Sequence, residues 1–212
     1  MNSMGKADGL SWVGGKKAQQ SDPHIKPLVH LVEKWRKLSG LGTDIPHFDP
    51  DDGGVDAPIL WVKEAPGPSA IASGFVAPQN DGPTAASMRR FRAEVPVDPK
   101  LIVNWNLVPW YLGSDDKSKI RQPNRQDRRD GAAYLKELIP ALTKLKVVVL
   151  LGANAQSGWG ENAMSDFTAL VLNRRFTLIS TWHPSLRCLN RDPSRRQELL
   201  GALRQAQGLA RR

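Results

Sequence analysis

Residues 58–67 read PILWVKEAPG, and this order of residue types predicts a buried strand that ends in a polar loop. The apolar run stops at Lys63 and Glu64, and Pro66 and Gly67 follow almost at once. Prolines and glycines in such positions mark the start of a loop. The segment therefore predicts a strand whose carboxyl end carries a carboxylate.

A second segment, residues 177–190, has the same plan and reads TLISTWHPSLRCLN. Its apolar run ends in a loop that carries His183, Pro184 and Ser185. In an open parallel α/β sheet, the loops at the carboxyl ends of the strands line the crevice where ligands bind. We therefore expect Glu64 and His183 to face one crevice, where a carboxylate and an imidazole can divide the hydrolysis of one bond between them.

The rest of the chain alternates between apolar runs of strand length and segments with helical spacing. Strands are predicted at residues 58–63, 101–108, 146–152 and 175–181, and helices at 24–39, 126–145, about 153–172 and 192–210. Residues 43–57, 64–82 and 109–124 are predicted as loops, and a short basic helix is predicted to start at Thr84. Strands joined by helices predict an α/β fold with a parallel sheet and right-handed crossovers.

A chain of 212 residues suits one domain with a sizeable core. Residues 1–23 are polar and glycine-rich, so we expect a flexible or loosely docked N-terminal arm before a single domain at 24–212. No apolar run approaches the length that spans a bilayer, and the N-terminus lacks the apolar stretch of a signal peptide, which predicts a cytoplasmic protein without a membrane partner.

The chain contains one cysteine, Cys188. This count excludes an intrachain disulfide, a multi-cysteine zinc site and an iron–sulfur cluster, so we expect no metal and no cofactor. The net charge of +9 comes mainly from arginine, which suits bidentate phosphate contacts. Charge of this sign favours a nucleic-acid partner, although it carries no information about the fold.

Five short motifs then occur in a fixed order along the chain. They are EAPG at 64–67, NLVPWY at 106–111, QPNR at 122–125, VVVLLGANAQ at 147–156 and HPS at 183–185. In this order the motifs resemble the uracil-DNA glycosylase superfamily over roughly residues 56–208. The resemblance implies a three-layer α/β/α sandwich around a central four-stranded parallel sheet. It also implies a monofunctional enzyme that flips uracil out of DNA and hydrolyses the N-glycosidic bond without a cofactor, and we expect this enzyme to be a monomer.

The nearest likeness is to the branch of that superfamily whose first motif is Gly-Glu-Ala/Gly-Pro-Gly. Glu64 matches the carboxylate that orients water in this branch, and Ala65 occupies the substrate-contacting position that holds Asp or Asn elsewhere. Lys63 replaces the first glycine of the motif. That branch typically carries a four-cysteine cluster, which a chain with one cysteine does not hold.

The resemblance also implies which residues contact the base. His183 would donate a hydrogen bond to the uracil O2 as negative charge develops on the departing base. Asn106 would read the base, since a side-chain amide accepts from N3–H and donates to O4. Asn104 lies on the same strand face and is the next candidate reader. Phe75 matches the aromatic residue that stacks on the extruded base.

A third set of residues is implied to contact the DNA itself. Ser185 and the loop at Pro66, Gly67, Pro68 and Ser69 would hold backbone phosphates, and such contacts position a protein without specifying sequence. Leu186 and Arg187, at the tip of the second motif, are candidates for a wedge that fills the gap left by the extruded base.

Three alternatives remain open. The first is a glycosylase for other deaminated bases, such as hypoxanthine or xanthine. The second is a weakly catalytic protein that binds abasic DNA, an idea prompted by Lys63, which is either a phosphate contact or a nucleophile that gives lyase activity. The third is a small-molecule hydrolase, although the chain lacks a Gly-x-Ser-x-Gly elbow and would not need basic loops for that role.

Overall fold

A computed structural model describes residues 11–114, 116, 119–160 and 176–212 of the chain. Its centre is a sheet of four parallel strands in the order β2-β1-β3-β4. The strands are β1 at Ile59–Lys63, β2 at Ile102–Asn106, β3 at Val147–Leu151 and β4 at Thr177–Thr181. Each falls within a segment that the apolar runs predict as a strand, so the parallel sheet is confirmed.

The helices occupy the connections between the strands and the two ends of the chain. They are α1 at Trp12–Ala18, α2 at Lys26–Ser39, α3 at Pro68–Ser73, α4 at Pro83–Glu94, α5 at Arg125–Ala141, α6 at Ala153–Gly160, α7 at Leu186–Leu189 and α8 at Pro193–Ala210. Short 3₁₀ turns lie at Gln19–Ser21, Gly42–Asp44, Gly54–Asp56 and Pro99–Leu101. Within these described ranges no helix is both long enough and apolar enough to cross a bilayer.

Helices cover both faces of the sheet, as the three-layer α/β/α sandwich requires. On one face, α4 and α8 pack on alternate strand residues that include Ile59, Trp61 and Val149. On the other face, α2 and α5 pack on the intervening residues, among them Leu60 and Val148. Because side chains alternate between the faces of a strand, a sheet covered on both sides needs strands that are apolar throughout.

The N-terminal segment differs from the flexible arm that its composition predicts. Residues Trp12–Ala18 form helix α1, and the side chain of Lys16 is buried. The Lys16 ammonium pairs with Asp49 and lies 2.6 Å from a carboxylate oxygen of Asp51. A buried ammonium must be paired, and this pairing docks the helix on the domain. Residues 1–10 of the predicted arm lie outside the described residues.

One further segment differs from the prediction, and another extends beyond the residues that the structure describes. The predicted loop at 64–82 contains the short helix α3, which begins at Pro68 and ends where Gly74 adopts the left-handed conformation at φ 79°. Glycine takes this conformation without strain and so ends helices. The helix predicted to reach residue 172 is followed only to Gly160, since residues 161–175 lie outside the described part.

Candidate active site

A crevice of about 1020 Å³ lies at the carboxyl ends of the strands. Each strand end contributes to its wall: Glu64 follows β1, Asn106 ends β2, Asn154 follows β3 and His183 follows β4. The crevice lies where the strand order changes direction, because β1 has β2 on one side and β3 on the other. The structure therefore brings Glu64 and His183 to one crevice, at the point where open α/β sheets bind ligands.

The geometry of the His-Pro-Ser segment fixes which nitrogen of His183 carries the proton. The backbone N–H of Ser185 donates to Nδ1 of His183 at 3.2 Å. A backbone amide is always a donor, so Nδ1 acts as an acceptor and is unprotonated. In a neutral imidazole the proton is then on Nε2. His183 therefore presents a donor, not an acceptor, from its remaining ring nitrogen.

His183 also stays neutral over an unusually wide pH range. Burial and, to a smaller extent, the nearby positive charge of Lys63 lower the pKa of His183 to about 4. A neutral imidazole that donates through Nε2 stabilises negative charge on a leaving group without first losing a proton. The position of the ring thus matches the chemistry that the sequence motif implies.

Gly152 leaves the space that His183 occupies. This residue follows β3 directly, has φ +95°, and donates its backbone N–H to the Thr181 carbonyl at 2.9 Å. A Cβ atom at Gly152 would lie 2.7 Å from the Cβ of His183, which is closer than real side-chain contacts. Only glycine therefore suits this position, both for its conformation and for the approach of the imidazole.

Glu64 lines the crevice on a rigid stretch of backbone. The ladder between β1 and β2 continues past both strand ends, because Leu107 donates to the Lys63 carbonyl at 2.8 Å and Val108 donates to the Glu64 carbonyl at 3.0 Å. Among the described residues, no protein group hydrogen-bonds the Glu64 carboxylate. The carboxylate is therefore available to orient a water molecule or to face positive charge on a substrate.

The two asparagines of β2 both line the crevice, but they differ in their hydrogen bonds. The Asn104 side-chain amide donates to the Asp52 carboxylate at 2.7 Å, and the Asn104 backbone N–H donates to the same oxygen at 3.2 Å. No described residue hydrogen-bonds the Asn106 side chain, although Asn106 is only 2% exposed. An amide of this kind keeps both its donor and its acceptor for a ligand, which favours Asn106 over Asn104 as the reader of a base.

A buried ion pair between Arg92 and Asp52 lies behind Asn104, and sequence analysis did not predict it. Arg92 donates to Asp52 at 3.2 Å, and its guanidinium lies 5.4 Å from the centre of the Trp61 ring. Burial raises the pKa of Asp52, and the Arg92 charge and the Asn104 hydrogen bonds oppose that rise. The only available signal was a run of three aspartates at residues 49–52, which composition assigns to a solvated loop.

The predicted DNA contacts form the edge of the crevice. Ser185 is the N-cap residue of α7, and Leu186 and Arg187 in its first turn are both exposed, Leu186 by 42%. The same crevice is lined by the predicted substrate contact Ala65 and by the remaining predicted DNA contacts, Pro66, Gly67, Pro68 and Ser69. Their roles in binding remain predictions, and their positions bring them together.

Phe75 is the predicted site residue that the structure does not bring to the crevice. Its ring is 1% exposed and lies 6.1 Å from the His47 ring, below the crevice wall. The chain on both sides is fixed, since His47 donates to the Gly74 carbonyl and accepts from Val76. Val76 and Ala77 line the crevice instead. The motif position alone indicated a stacking ring, but Phe75 completes the core in this arrangement.

No cluster of three or more His, Cys, Asp or Glu side chains with the arrangement of a metal site occurs in the described ranges. Cys188 is a free cysteine on the crevice wall. The polar groups at the strand ends include the Glu64 carboxylate, the His183 imidazole, the Asn106 amide and the Lys63 amine.

Comparison with protein-family models identifies the family of the chain. None of the curated proteins compared with the chain matches it. A family model described as the uracil DNA glycosylase superfamily matches residues 50–207, which include every strand of the sheet and every strand end that lines the crevice. The chain therefore belongs to the uracil DNA glycosylase superfamily.

Proposed function

We propose that the protein is a DNA glycosylase that flips uracil out of DNA and hydrolyses its N-glycosidic bond, leaving an abasic site for base excision repair. Membership of the superfamily supports the coarser statement, a DNA-binding glycosylase that hydrolyses N-glycosyl bonds. Uracil as the base, and the individual roles below, are the proposal. It needs no cofactor and a single copy of the chain.

The leaving base is stabilised by His183. Negative charge develops on the uracil O2 as the bond to the sugar breaks, and the Nε2–H of a neutral imidazole is the donor that such an oxygen needs. The single observation that carries the proposal is the hydrogen bond from Ser185 to Nδ1, because it fixes this proton on Nε2. A histidine protonated the other way would offer O2 a lone pair and repel it.

Glu64 acts on the other side of the sugar. Its carboxylate has no protein partner among the described residues, so it is free to orient the attacking water and to face the positive charge that develops on the sugar ring. Asn106 reads the base by accepting from N3–H and donating to O4, and cytosine presents the opposite pattern at these two positions.

The base must leave the helix before any of these groups reaches it. Extrusion costs a few kcal/mol of stacking and pairing. Leu186 or Arg187 would enter the gap, and the Pro66–Ser69 loop and Ser185 would hold the neighbouring phosphates. The net charge of +9 supports binding of this kind, which should weaken as salt is added.

The test is a direct measurement of base release. The protein is incubated with labelled single- and double-stranded oligonucleotides that carry uracil, hypoxanthine or xanthine, and the abasic sites are cleaved with alkali. Release of uracil supports the proposal. Release only of hypoxanthine or xanthine would assign the crevice to another deaminated base, and tight binding of abasic DNA without any release would assign it to a binding protein.

A further inference from the structure

We propose that Lys63 gives the crevice a second activity: its amine condenses with the aldehyde of an abasic sugar and cleaves the DNA strand on the 3′ side of that sugar. The inference rests on the proposed function, since the abasic sugar is the product of base release in the same crevice. It extends that function from a simple hydrolase to an enzyme that also breaks the strand.

The first support is the position of Lys63. It is the last residue of β1, directly precedes Glu64 and is in register with Asn106 on β2. Because paired residues of parallel strands point to the same face, its side chain leaves the sheet on the same side as the Asn106 amide, and both line the crevice. A lysine that only contacts DNA phosphates belongs on the exposed edge, whereas Lys63 is partly buried at the strand ends.

The second support is that the amine is available. No described residue accepts a hydrogen bond from the Lys63 side chain or pairs with it within salt-bridge distance. Its charge nevertheless affects His183, so the amine lies close to the ring that would hold the departing base. An unpaired amine near the leaving group is also near the sugar carbon that the base leaves.

The third support is electrostatic. Burial, together with the Arg92 charge, lowers the pKa of Lys63 to about 8, although the carboxylates of Asp52 and Asp49 oppose the change. A free lysine is almost entirely protonated at neutral pH, and only the neutral amine attacks a carbonyl. In this environment an appreciable fraction of the amine is neutral at pH 7 to 8.

The proposed reaction balances without an oxidant or a reductant. The neutral Lys63 amine attacks C1′ of the ring-opened sugar and a C–N bond forms. The C1′ oxygen takes one proton from the amine and one from solvent and leaves as water, giving an iminium ion. The iminium ion makes the C2′ proton acidic, and the Glu64 carboxylate takes this proton. The electron pair forms the C2′–C3′ double bond, and the 3′ phosphate leaves with the C3′–O pair. Water then hydrolyses the imine and releases the Lys63 amine and an unsaturated aldehyde.

The experiment starts from DNA that is already abasic, so that it does not depend on uracil release. An oligonucleotide with an aldehydic abasic site is incubated with the full chain and borohydride, which reduces an imine to a stable amine and links protein to DNA. The matched DNA control carries an abasic site whose aldehyde has been reduced beforehand. We expect a covalent complex with the first oligonucleotide and none with the second, and peptide mapping should locate the DNA on Lys63.

Two variants make the result specific. Lys63→Arg keeps the positive charge but cannot form an imine, so the complex and the strand break should both be lost. Lys119→Arg changes an exposed lysine next to Ile120 at the crevice edge and should leave both intact. Thermal melts confirm that the Lys63→Arg protein is folded, and Lys63→Met serves if it is not.

Failure of this inference and failure of the proposed function give different results. Uracil release without a trapped complex on abasic DNA, or a complex that Lys63→Arg retains, would overturn the lyase activity and leave the glycosylase in place. A trapped complex mapped to Lys63 in a protein that releases no uracil would uphold the lyase activity and overturn the proposed glycosylase.

Discussion

The floor and the rim of the crevice are organised in opposite ways. We define the floor as the strand-end residues Glu64, Asn104, Asn106 and His183, and the rim as Leu186, Arg187 and Ile120. Hydrogen bonds orient two of the floor side chains, from Ser185 to His183 and from Asn104 to Asp52, and the β1–β2 ladder fixes the backbone that carries Glu64 and Asn106. The rim side chains are exposed and have no hydrogen-bond partner among the described residues. Preorganised groups suit the stabilisation of a transition state, whereas unbonded groups suit a DNA surface that differs from site to site.

The comparison is tested most strongly by Glu64→Gln. This change keeps the size of the side chain and removes the charge that orients water, so single-turnover uracil release should fall about 10²–10⁴-fold. Gel-shift affinity for abasic DNA should stay close to that of the unchanged protein, because binding rests on the proposed phosphate contacts and the wedge and not on Glu64. Glu137→Gln, which alters a carboxylate on α5 that pairs with Lys34, is the control and should not change the rate. Near-normal release by Glu64→Gln would show that another group positions the water.

His183→Ala should have the next largest effect on the rate. It removes one preorganised donor to the developing anion, a loss that costs about 10²–10³-fold in comparable sites. DNA affinity should again be retained. If the His183→Ala protein lost affinity for DNA but kept its single-turnover rate on bound DNA, the role of His183 would be in DNA binding, like that of the rim residues.

NMR titration of the His183 ring tests its protonation state without a measurement of activity. The ring should titrate near pH 4 and not near 6.5, because burial and the Lys63 charge lower its pKa. As the pH falls, His183 takes up a proton in the unfolded chain before it does so in the folded protein. The stability that the neutral ring gives the folded protein is therefore fully present above pH 6.5. It is lost as the pH falls from 6.5 towards 4.

Asp52→Ala tests whether the floor depends on its buried support. The change leaves the Arg92 guanidinium and the Asn104 amide without their common partner. Breaking a buried pair in this way costs about 3–5 kcal/mol in the free energy of unfolding. Asp56→Ala removes a surface partner of Lys144 and should cost about 0–1 kcal/mol. Urea unfolding measures both, and equal losses would mean that the buried pair adds nothing to the floor.

Leu186→Ala should have the smallest effect on DNA affinity, and the effect should appear only with duplex DNA. If Leu186 fills the gap left by the extruded base, its loss removes about 1.5 kcal/mol of apolar burial, equivalent to about tenfold in affinity. Single-stranded DNA leaves no gap to fill, so release from single strands should be unchanged. A Leu186→Ala protein equally impaired on both substrates would exclude the wedge.

The strands and strand ends were predictable because each depends on local sequence. Runs such as VVVLL at residues 147–151 suit only a strand covered on both faces, and Asp192 before Pro193 marks the start of α8. Where a strand stops, its last polar residues must face the crevice. Glu64, Asn106 and His183 were therefore predictable as a group from the order of apolar runs and the motif resemblance.

The residues that sequence analysis misplaced depend on distant partners. Phe75 occupies a motif position, but its burial is decided by the bridge to His47, nearly thirty residues earlier in the chain. Asp52 looks like part of a hydrophilic loop until Arg92 and Asn104 close on it. Such pairings depend on how the loops fold over the sheet, which no local pattern encodes.

The docked helix α1 makes the folding unit larger than the segment that the family model matches. The match starts at residue 50, yet Lys16 supplies the positive charge for Asp49, next to the buried Asp52. Burial and the Asp52 charge raise the pKa of Asp49 to about 6, and Lys16 opposes this rise. An expression clone that begins after α1 but keeps Asp49 would lack that counter-charge and leave the Asp49 and Asp52 carboxylates facing each other without the Lys16 ammonium. That shortened protein should lose stability as the pH rises from 3.8 through the raised pKa of Asp49, so clone boundaries should be set before Trp12.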